Sequence, residues 1–209
     1  MDMHEMTLSE FCARAGSSSP TPGGGSTAAL VGALAAALAQ MVASLTVGKA
    51  GYESAQPEMQ AVLREGKDIE SRLLELMGED CEAFDAYMRA LAMPKNTLDE
   101  SLARTAALQA AAQTAADVPL SVAQCATAVF PIAQNALSLG NRMAKSDALM
   151  ATILARAAVR SAVINVRVNL PAFGDPELAR RYEARCAALE QGAEMAEIAA
   201  ISQSEPLAG

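Results

Sequence analysis

The alternation of apolar and polar positions divides the chain into helical segments. Apolar residues recur at intervals of three and four, and the polar breaks between these stretches contain Gly or Pro. This period is typical of amphipathic α-helices, because residues three or four apart share one helix face. Thr7 with Glu10, and Thr97 with Glu100, have the spacing of a capping box and predict two helix starts. The pattern predicts helices over residues 8–15, 27–47, 57–92, 98–116, 148–170 and 177–201, with a kinked segment near Pro131.

The predicted helix over residues 27–47 is the longest apolar run, with eight alanines and no charged residue. A run of this length raises the question of a membrane span. Against a span, Ala contributes little transfer energy, Gln40 and Ser44 interrupt the far end, and no aromatic belt is present. Small residues such as Gly32 and Ala36 let other helices pack closely. We therefore predict a buried Ala-rich central helix that ends at Gly48, in a multi-helix bundle with no membrane partner.

The loop in front of this helix is rich in Pro and Gly, and its three consecutive glycines have no β-carbons. A ligand could closely approach the amide groups of such a helix start, whose partial positive charge favours an anion or a polar ring edge. No Gly-Lys-Ser/Thr follows, which excludes a P-loop, and a flexible loop before a helix capped by Ser26 or Thr27 is the alternative. The residues predicted to contact a ligand here are Pro22, Gly23, Gly24, Gly25 and Ser26.

A carboxylate interrupts the apolar stripe of the predicted helix over residues 57–92. The stripe includes Met77, Phe84 and Tyr87, and Asp80 occupies the stripe position between Met77 and Phe84. Burial would raise the pKa of this carboxyl, as a group that exchanges protons near neutral pH requires. An ion pair with Lys or Arg from another helix is the alternative. Glu82 could reach the rim of the same site.

Other polar residues lie where a ligand or a second helix could meet them. One set occupies loops: Lys95 and Asn96 after Pro94, and Asn141 and Asp147 in the polar joint before the helix over residues 148–170, which Ser146 is predicted to cap. Asn165 and Asn169 lie on a stripe of small and polar residues along that helix, and inward amides need partners. Lys49 or an arginine could bind an anionic ligand tail.

Composition limits the remaining function classes. The 209 residues suit one domain over residues 1–209, and 52% hydrophobic residues with only 3% aromatic favour an all-α fold. A net charge of −8 argues against a nucleic-acid partner. The four scattered cysteines and the absence of a secretory pattern predict a reduced, cytoplasmic protein. His4 is the one histidine, so neither a Ser-His-Asp mechanism nor a metal site is expected.

Five separated motifs, in this order, resemble the formiminotetrahydrofolate cyclodeaminase and methenyltetrahydrofolate cyclohydrolase family. They are Ser-Pro-Thr-Pro-Gly-Gly-Gly-Ser at residues 19–26, Asp-Cys-Glu-Ala-Phe at 80–84, Pro-Lys-Asn-Thr at 94–97, Gly-Asn with Lys-Ser-Asp at 140–147, and Asn-Val-Arg-Val-Asn-Leu at 165–170. The resemblance covers essentially the whole chain. It implies an all-helical homodimer acting on one-carbon adducts of tetrahydrofolate, with no metal or redox cofactor.

The resemblance also assigns roles to residues. Asp80 matches the catalytic aspartate, and the loop over residues 20–26 matches the segment expected to contact the folate. The family-typical positions are Lys95, Asn96, Asn141, Asp147, Asn165 and Asn169. From the mechanism we predict that Lys95 is catalytic with Asp80, as a residue that tunes Asp80 or orients the substrate. We expect a methenyltetrahydrofolate cyclohydrolase, because a chain without the transferase domain suits general one-carbon interconversion. A formiminotetrahydrofolate cyclodeaminase and a folate-binding protein without turnover are the alternatives.

Overall fold

A computed structural model of the chain describes residues 5–204, which contain helices and turns and no strand. The predicted all-α class is confirmed, whereas the interpretation of His4 concerns a residue outside the described part. The helices are α1 (Leu8–Ala15), α2 (Gly24–Ser44), α3 (Gln56–Leu91), α4 (Leu98–Thr127), α5 (Val129–Leu139), α6 (Lys145–Arg167) and α7 (Pro176–Ser204). Single 3-10 turns lie at Glu53–Ala55, Arg142–Ala144 and Leu170–Ala172.

Helix α2 packs against α3, α4, α5 and α6. Its small residues permit this, since a β-carbon on Gly32 would lie 3.1 Å from Leu73 of α3 and 3.5 Å from Ala158 of α6. Ala29, Ala35, Ala36, Ala39 and Ala43 are completely buried. The closeness of these backbones places the start of α2 directly beside α3 and α6, where the candidate site lies.

Two predicted helix caps are wrong. Gly23 occupies the N-cap of α2 and makes no side-chain hydrogen bond, because Ser26 donates to another helix and the Thr27 hydroxyl donates to Gly23 O. Helix α6 begins at Lys145, so Ser146 lies inside it. The 3-10 turn over Arg142–Ala144 continues into α6 and is capped by Asn141, whose Oδ1 accepts a bond from Met143 N.

Helix α4 runs eleven residues further than predicted and passes through Pro119. A proline inside a helix has no N–H for the carbonyl four residues earlier, here Ala115 O. Asn169 satisfies that carbonyl, since its Nδ2 donates to Ala115 O at 3.0 Å. The contact ties α4 to the end of α6 and fixes the Asn169 side chain at the candidate site.

Three helical stretches are long and apolar enough to cross a membrane by length and composition. They are Gly24–Ser44, Leu98–Leu139 and Arg142–Ala172. Between 44% and 56% of their most apolar windows is buried inside the structure. The expectation of no membrane partner therefore stays a prediction.

Candidate active site

A cavity of about 340 Å³ opens between the start of α2 and the helices α3, α4 and α6. The start of α2 and the loop before it form one wall and α3 forms the opposite wall. One residue of α4, the end of α6 and the residues just after it close the rest. The lining residues are Pro20, Thr21, Gly23, Gly24, Gly25, Asp80, Ala83, Phe84, Tyr87, Ala115, Asn165, Val168 and Asn169. Segments distant in sequence therefore meet at one space, and Asp80 is the one charged residue in its lining.

Asp80 is held by two hydrogen bonds from Ser26. The backbone N–H of Ser26 donates to Asp80 Oδ2 at 2.8 Å, and the Ser26 hydroxyl lies 2.8 Å from the same oxygen. Ser26 is itself fully buried and does not line the cavity. Among the described residues, Oδ1 of Asp80 accepts no hydrogen bond. The carboxylate thus has one oxygen fixed by the protein and one available to a ligand.

Burial raises the pKa of the Asp80 carboxyl above its ordinary value, and the two hydrogen bonds from Ser26 lower it in part. No Lys or Arg lies in the cavity lining to offset the burial. The alternative interpretation, an Asp80 ion pair with another helix, is not what the structure shows, because no salt bridge to Asp80 forms within residues 5–204. A carboxyl with a raised pKa can exchange protons closer to neutral pH.

Glycines let the helix start approach the polar side chains. A β-carbon on Gly25 would collide with the Asp80 carboxylate, and one on Gly24 would lie 3.1 Å from the Asn165 amide. The N–H groups of Gly24 and Gly25 have no acceptor among the described residues. Two free amides with the partial positive charge of a helix start therefore face the cavity beside Asp80.

Two asparagines form a polar wall beside the glycines. Asn165 Nδ2 donates to Ser161 O at 2.8 Å, and Asn169 Nδ2 donates to Ala115 O and to Asn165 O. Their Oδ1 atoms accept no hydrogen bond from the described residues. The wall therefore offers acceptors to a ligand, while the glycine amides offer donors.

Phe84 and Tyr87 form the apolar wall of the cavity, and the sequence analysis assigned them to the packing stripe alone. They follow Asp80 by four and seven residues, which places all three on one face of α3. That spacing is the signal that could have identified them. Their rings offer a surface on which a flat ligand ring can lie.

Three predicted site residues lie outside the cavity lining on the α3 and α4 side. Lys95 and Asn96 are exposed in the turn after α3, where Asn96 N donates to Glu100 Oε2 at 2.7 Å. Glu82 is exposed on the flank of α3. Pro22 is buried behind the loop, next to the lining residues Thr21 and Gly23. The roles given to these residues stay predictions.

Lys49, Asn141 and Asp147 lie at the other end of α2, about 30 Å along the helix from the cavity. Asn141 is buried there: its N donates to Thr46 Oγ1, its Nδ2 to Leu45 O, and its Oδ1 accepts from Met143 N. The Lys49 ammonium lies over the Tyr52 ring. Within one chain these residues do not reach Asp80.

No group of three or more His, Cys, Asp or Glu residues in the described part could hold a metal ion. The chemistry available at the cavity is therefore that of a carboxyl, two amide-bearing side chains, free backbone N–H groups and two aromatic rings. This set suits proton transfer to a planar polar ligand rather than nucleophilic attack by a side chain.

The chain is similar to enzymes of folate metabolism. The family model described as formiminotransferase-cyclodeaminase matches residues 7–188. A methenyltetrahydrofolate cyclohydrolase from Methylorubrum extorquens is 41% identical over 169 residues, 81% of each chain. A formimidoyltransferase-cyclodeaminase from Sus scrofa is 33% identical over 186 residues, which are 89% of this chain but 34% of that protein.

A solved structure supports the same family. The crystal structure of a formiminotetrahydrofolate cyclodeaminase from Thermotoga maritima superposes with a TM-score of 0.87 at 30% identity, covering 98% of both chains. The resemblance found in the sequence motifs is thereby confirmed. The chain belongs to the formiminotransferase-cyclodeaminase family.

Proposed function

We propose that the protein hydrolyses 5,10-methenyltetrahydrofolate to 10-formyltetrahydrofolate. The observation that carries the proposal is Asp80, a carboxyl with a raised pKa and one free oxygen, beside the free amides of the α2 start. The 41% identity to a methenyltetrahydrofolate cyclohydrolase supports this reaction over its alternatives. Asp80 acts as the general base and then as the general acid.

The proton steps follow from this placement. Water attacks the methenyl carbon, and the Asp80 carboxylate takes one proton from it at Oδ1. The bond from carbon to N5 then breaks, N5 takes that proton from Asp80, and the remaining hydroxyl proton goes to solvent as the formyl C=O forms. The carboxylate also stabilises the cationic bridge before attack. Such proton transfer contributes roughly a hundredfold to ten-thousandfold in rate.

Ser26 supports both protonation states of Asp80. Its hydroxyl lies 2.8 Å from Asp80 Oδ2 and 3.1 Å from Met77 O, so it has two acceptors for one proton. It donates to Oδ2 when Asp80 is ionised and can donate to Met77 O when Asp80 is protonated. The Ser26 hydroxyl therefore has an acceptor in either protonation state of Asp80.

The remaining cavity walls bind the pterin. Phe84 and Tyr87 contact the flat ring, the Gly24 and Gly25 amides donate to its edge, and the Asn165 and Asn169 Oδ1 atoms accept from it. The binding roles of Pro22, Gly23 and Ser26 are indirect in this proposal, since they shape the loop and hold Asp80.

Asp80→Asn tests the mechanism. The variant should lose a hundredfold or more of the rate, as the acid/base contribution implies, measured by the decay of methenyltetrahydrofolate absorbance. It should be at least as stable as the wild type at neutral pH. The folded-state pKa of Asp80 is raised, so ionisation above the unfolded pKa disfavours the fold, and the amide removes that cost. Asp85→Asn, at an exposed carboxylate of α3 that does not line the cavity, is the matched control. A fully active Asp80→Asn enzyme would refute the acid/base role.

The cyclodeaminase reaction is the second candidate, favoured by the 0.87 TM-score to the Thermotoga maritima enzyme. There N10 attacks the N5 formimino carbon, Asp80 takes the N10 proton, and the leaving amine takes a proton and departs as ammonia. Ammonia release from 5-formiminotetrahydrofolate, compared with methenyl hydrolysis by the same preparation, separates the two. Folate binding with neither reaction would indicate a binding protein without turnover.

The expectations about cofactors, location, partners and assembly are also part of this proposal. The enzyme uses no cofactor besides its tetrahydrofolate substrate, acts in the cytoplasm as one domain, and has no nucleic-acid or membrane partner. Its bundle is organised around α2, and it works as a homodimer. Support for the homodimer is the exposure of Leu34, Met41 and Ile153 on two adjacent helices.

A further inference from the structure

Arg14 is the one Lys or Arg side chain in the described part of the chain that hydrogen-bonds to a residue of the cavity lining. Its Nε donates to Thr21 O at 3.0 Å. The Ser19 hydroxyl donates to the same carbonyl at 2.7 Å. Thr21 and the exposed Pro20 line the cavity where the loop before α2 meets solvent. The guanidinium of Arg14 is therefore held at this rim of the cavity.

The outer end of the Arg14 side chain stays available to a ligand. Within residues 5–204, Nε is the one guanidinium nitrogen of Arg14 with a hydrogen-bond acceptor, and the side chain forms no salt bridge there. Nη1 and Nη2 form the end of a planar fork whose N–H groups match the two oxygens of a carboxylate. Arg14 is half-buried, so the fork is partly shielded from water and still accessible.

The protein's own carboxylates near Arg14 do not take this fork. Glu10, one turn earlier on α1, accepts the hydrogen bonds of the α1 capping box. Asp85 of α3 is exposed and forms no salt bridge with Arg14. Burial raises the pKa of the Cys81 thiol, and among smaller effects the charge of Arg14 lowers it. Since Cys81 follows Asp80, Arg14 is within electrostatic reach of the α3 wall.

Other cations considered for an anionic tail are held elsewhere. Arg167 pairs with two glutamates of α7, Glu183 and Glu190. Lys49 lies at the other end of α2, about 30 Å along the helix from the cavity. Lys95 is exposed in the turn beyond the end of α3 and does not line the cavity. These positions leave Arg14 as the cation fixed to the cavity wall.

We propose that Arg14 binds the carboxylates of the folate tail and makes the enzyme selective for substrates that carry a glutamate. This inference rests on the proposed folate function. The aminobenzoyl and glutamate groups extend on the order of 10 Å from N10. Thr21 lies at most about 14 Å from Gly25, which contacts Asp80, and the helical backbone of residues 24–25 shortens that limit. The tail can therefore reach the rim that Arg14 occupies.

Arg14 also has contacts that need no ligand. It lies in the last turn of α1, where a positive charge favours the helix end, and its Nε holds the loop. Loss of these contacts would weaken every ligand of the cavity alike. Loss of a pair with the tail would weaken only ligands that have the tail. A substrate without the tail therefore separates the two roles.

Arg14→Gln tests the proposal with two substrates. One is 5,10-methenyltetrahydrofolate, and the other is an analogue with a phenyl group on N10 in place of the aminobenzoylglutamate. KM for the full substrate should rise about tenfold, the lower end of what a hydrogen bond to a charged group contributes. The kcat should change by less than about twofold, because the tail pair is the same in ground and transition states. KM for the analogue should equal that of the wild type.

Two further variants serve as controls. Arg14→Lys keeps the charge but not the fork, so its KM for the full substrate should lie between those of the wild type and Arg14→Gln. Arg64→Gln, at an exposed residue about 24 Å along α3 from Asp80, makes the same change in net charge and should leave both KM values unchanged. Equal rises in KM for both substrates in Arg14→Gln, or no rise for the full substrate, would overturn the proposal.

Binding of 5-formyltetrahydrofolate, followed by titration calorimetry, separates this proposal from the proposed function. A wild-type protein that turns over neither folate would overturn the function. A dissociation constant about tenfold higher for Arg14→Gln would still support the role of Arg14. Equal dissociation constants for the two proteins, or a wild type that does not bind this folate, would overturn that role.

Discussion

The two ends of α2 use the same kind of buried hydrogen bond in different ways. At the start, Ser26 holds one oxygen of Asp80 and leaves the other free in the cavity. At the end, the Asn141 N–H donates to the Thr46 hydroxyl, and both polar atoms of the Asn141 side chain bond to backbone groups. A buried polar residue with a hydrogen-bonding position still free can therefore act on a ligand. A buried polar residue whose polar atoms all have partners instead holds two parts of the structure together, and we call it a structural tie.

The largest effect expected from this contrast is that of Gly25→Ala. A β-carbon at residue 25 would collide with the Asp80 carboxylate and displace its free oxygen from the cavity. We expect a loss of roughly a hundredfold in kcat, the lower end of an acid/base contribution. Steady-state methenyl hydrolysis measures it. Gly78→Ala in α3 is the matched control, since its new β-carbon would meet no atom within 4 Å apart from its chain neighbours and the backbone of its own helix turn. Equal kcat values for the two variants would contradict the close approach.

Thr46→Val should act on stability instead. Valine keeps the shape but leaves the Asn141 N–H and Val42 O without their partner, at a cost of about 1–3 kcal/mol in the free energy of unfolding. Urea unfolding followed by circular dichroism measures the change. Thr105→Val, at an exposed hydroxyl on α4, should cost much less. A change in kcat with unchanged stability would show that this end of α2 is not a structural tie.

Ser26→Ala should have the smallest effect of the three and should appear in the pH profile. The hydrogen bond that the variant loses stabilises the carboxylate form of Asp80. Without it, the pKa of Asp80 rises further. The base is then protonated over a wider range, and the low-pH limb of kcat moves to higher pH by about one unit, a tenfold loss on that limb. Ser101→Ala, at an exposed residue of α4, is the control. If the low-pH limb of kcat does not move, Ser26 contributes to packing and not to the pKa of Asp80.

The helices and Asp80 could be predicted because both depend on local spacing. The stripe of α3 identified Asp80 as an interruption, and the same stripe contained Phe84 and Tyr87, which the apolar pattern could not separate from core residues. The length of α4 could not be predicted, because the partner of Ala115 O is Asn169, 54 residues away in sequence. The distance of Asn141 from Asp80 was equally hidden, since it depends on the contact of Asn141 with Leu45, 96 residues away in sequence. The distance of Lys49 from the glycine loop, in contrast, follows from the length of the predicted helix between them.

The missing β-carbon at residue 25 has a consequence for redesigning substrate preference. Because the carboxylate fills the space a side chain would need, the glycine wall has no room for variation. Val168, which is 68% exposed at the mouth, and Tyr87 on the opposite wall can change in size without moving the proton-transfer group. Libraries aimed at bulkier or smaller pteridines should therefore diversify the hydrophobic side and leave the glycines fixed.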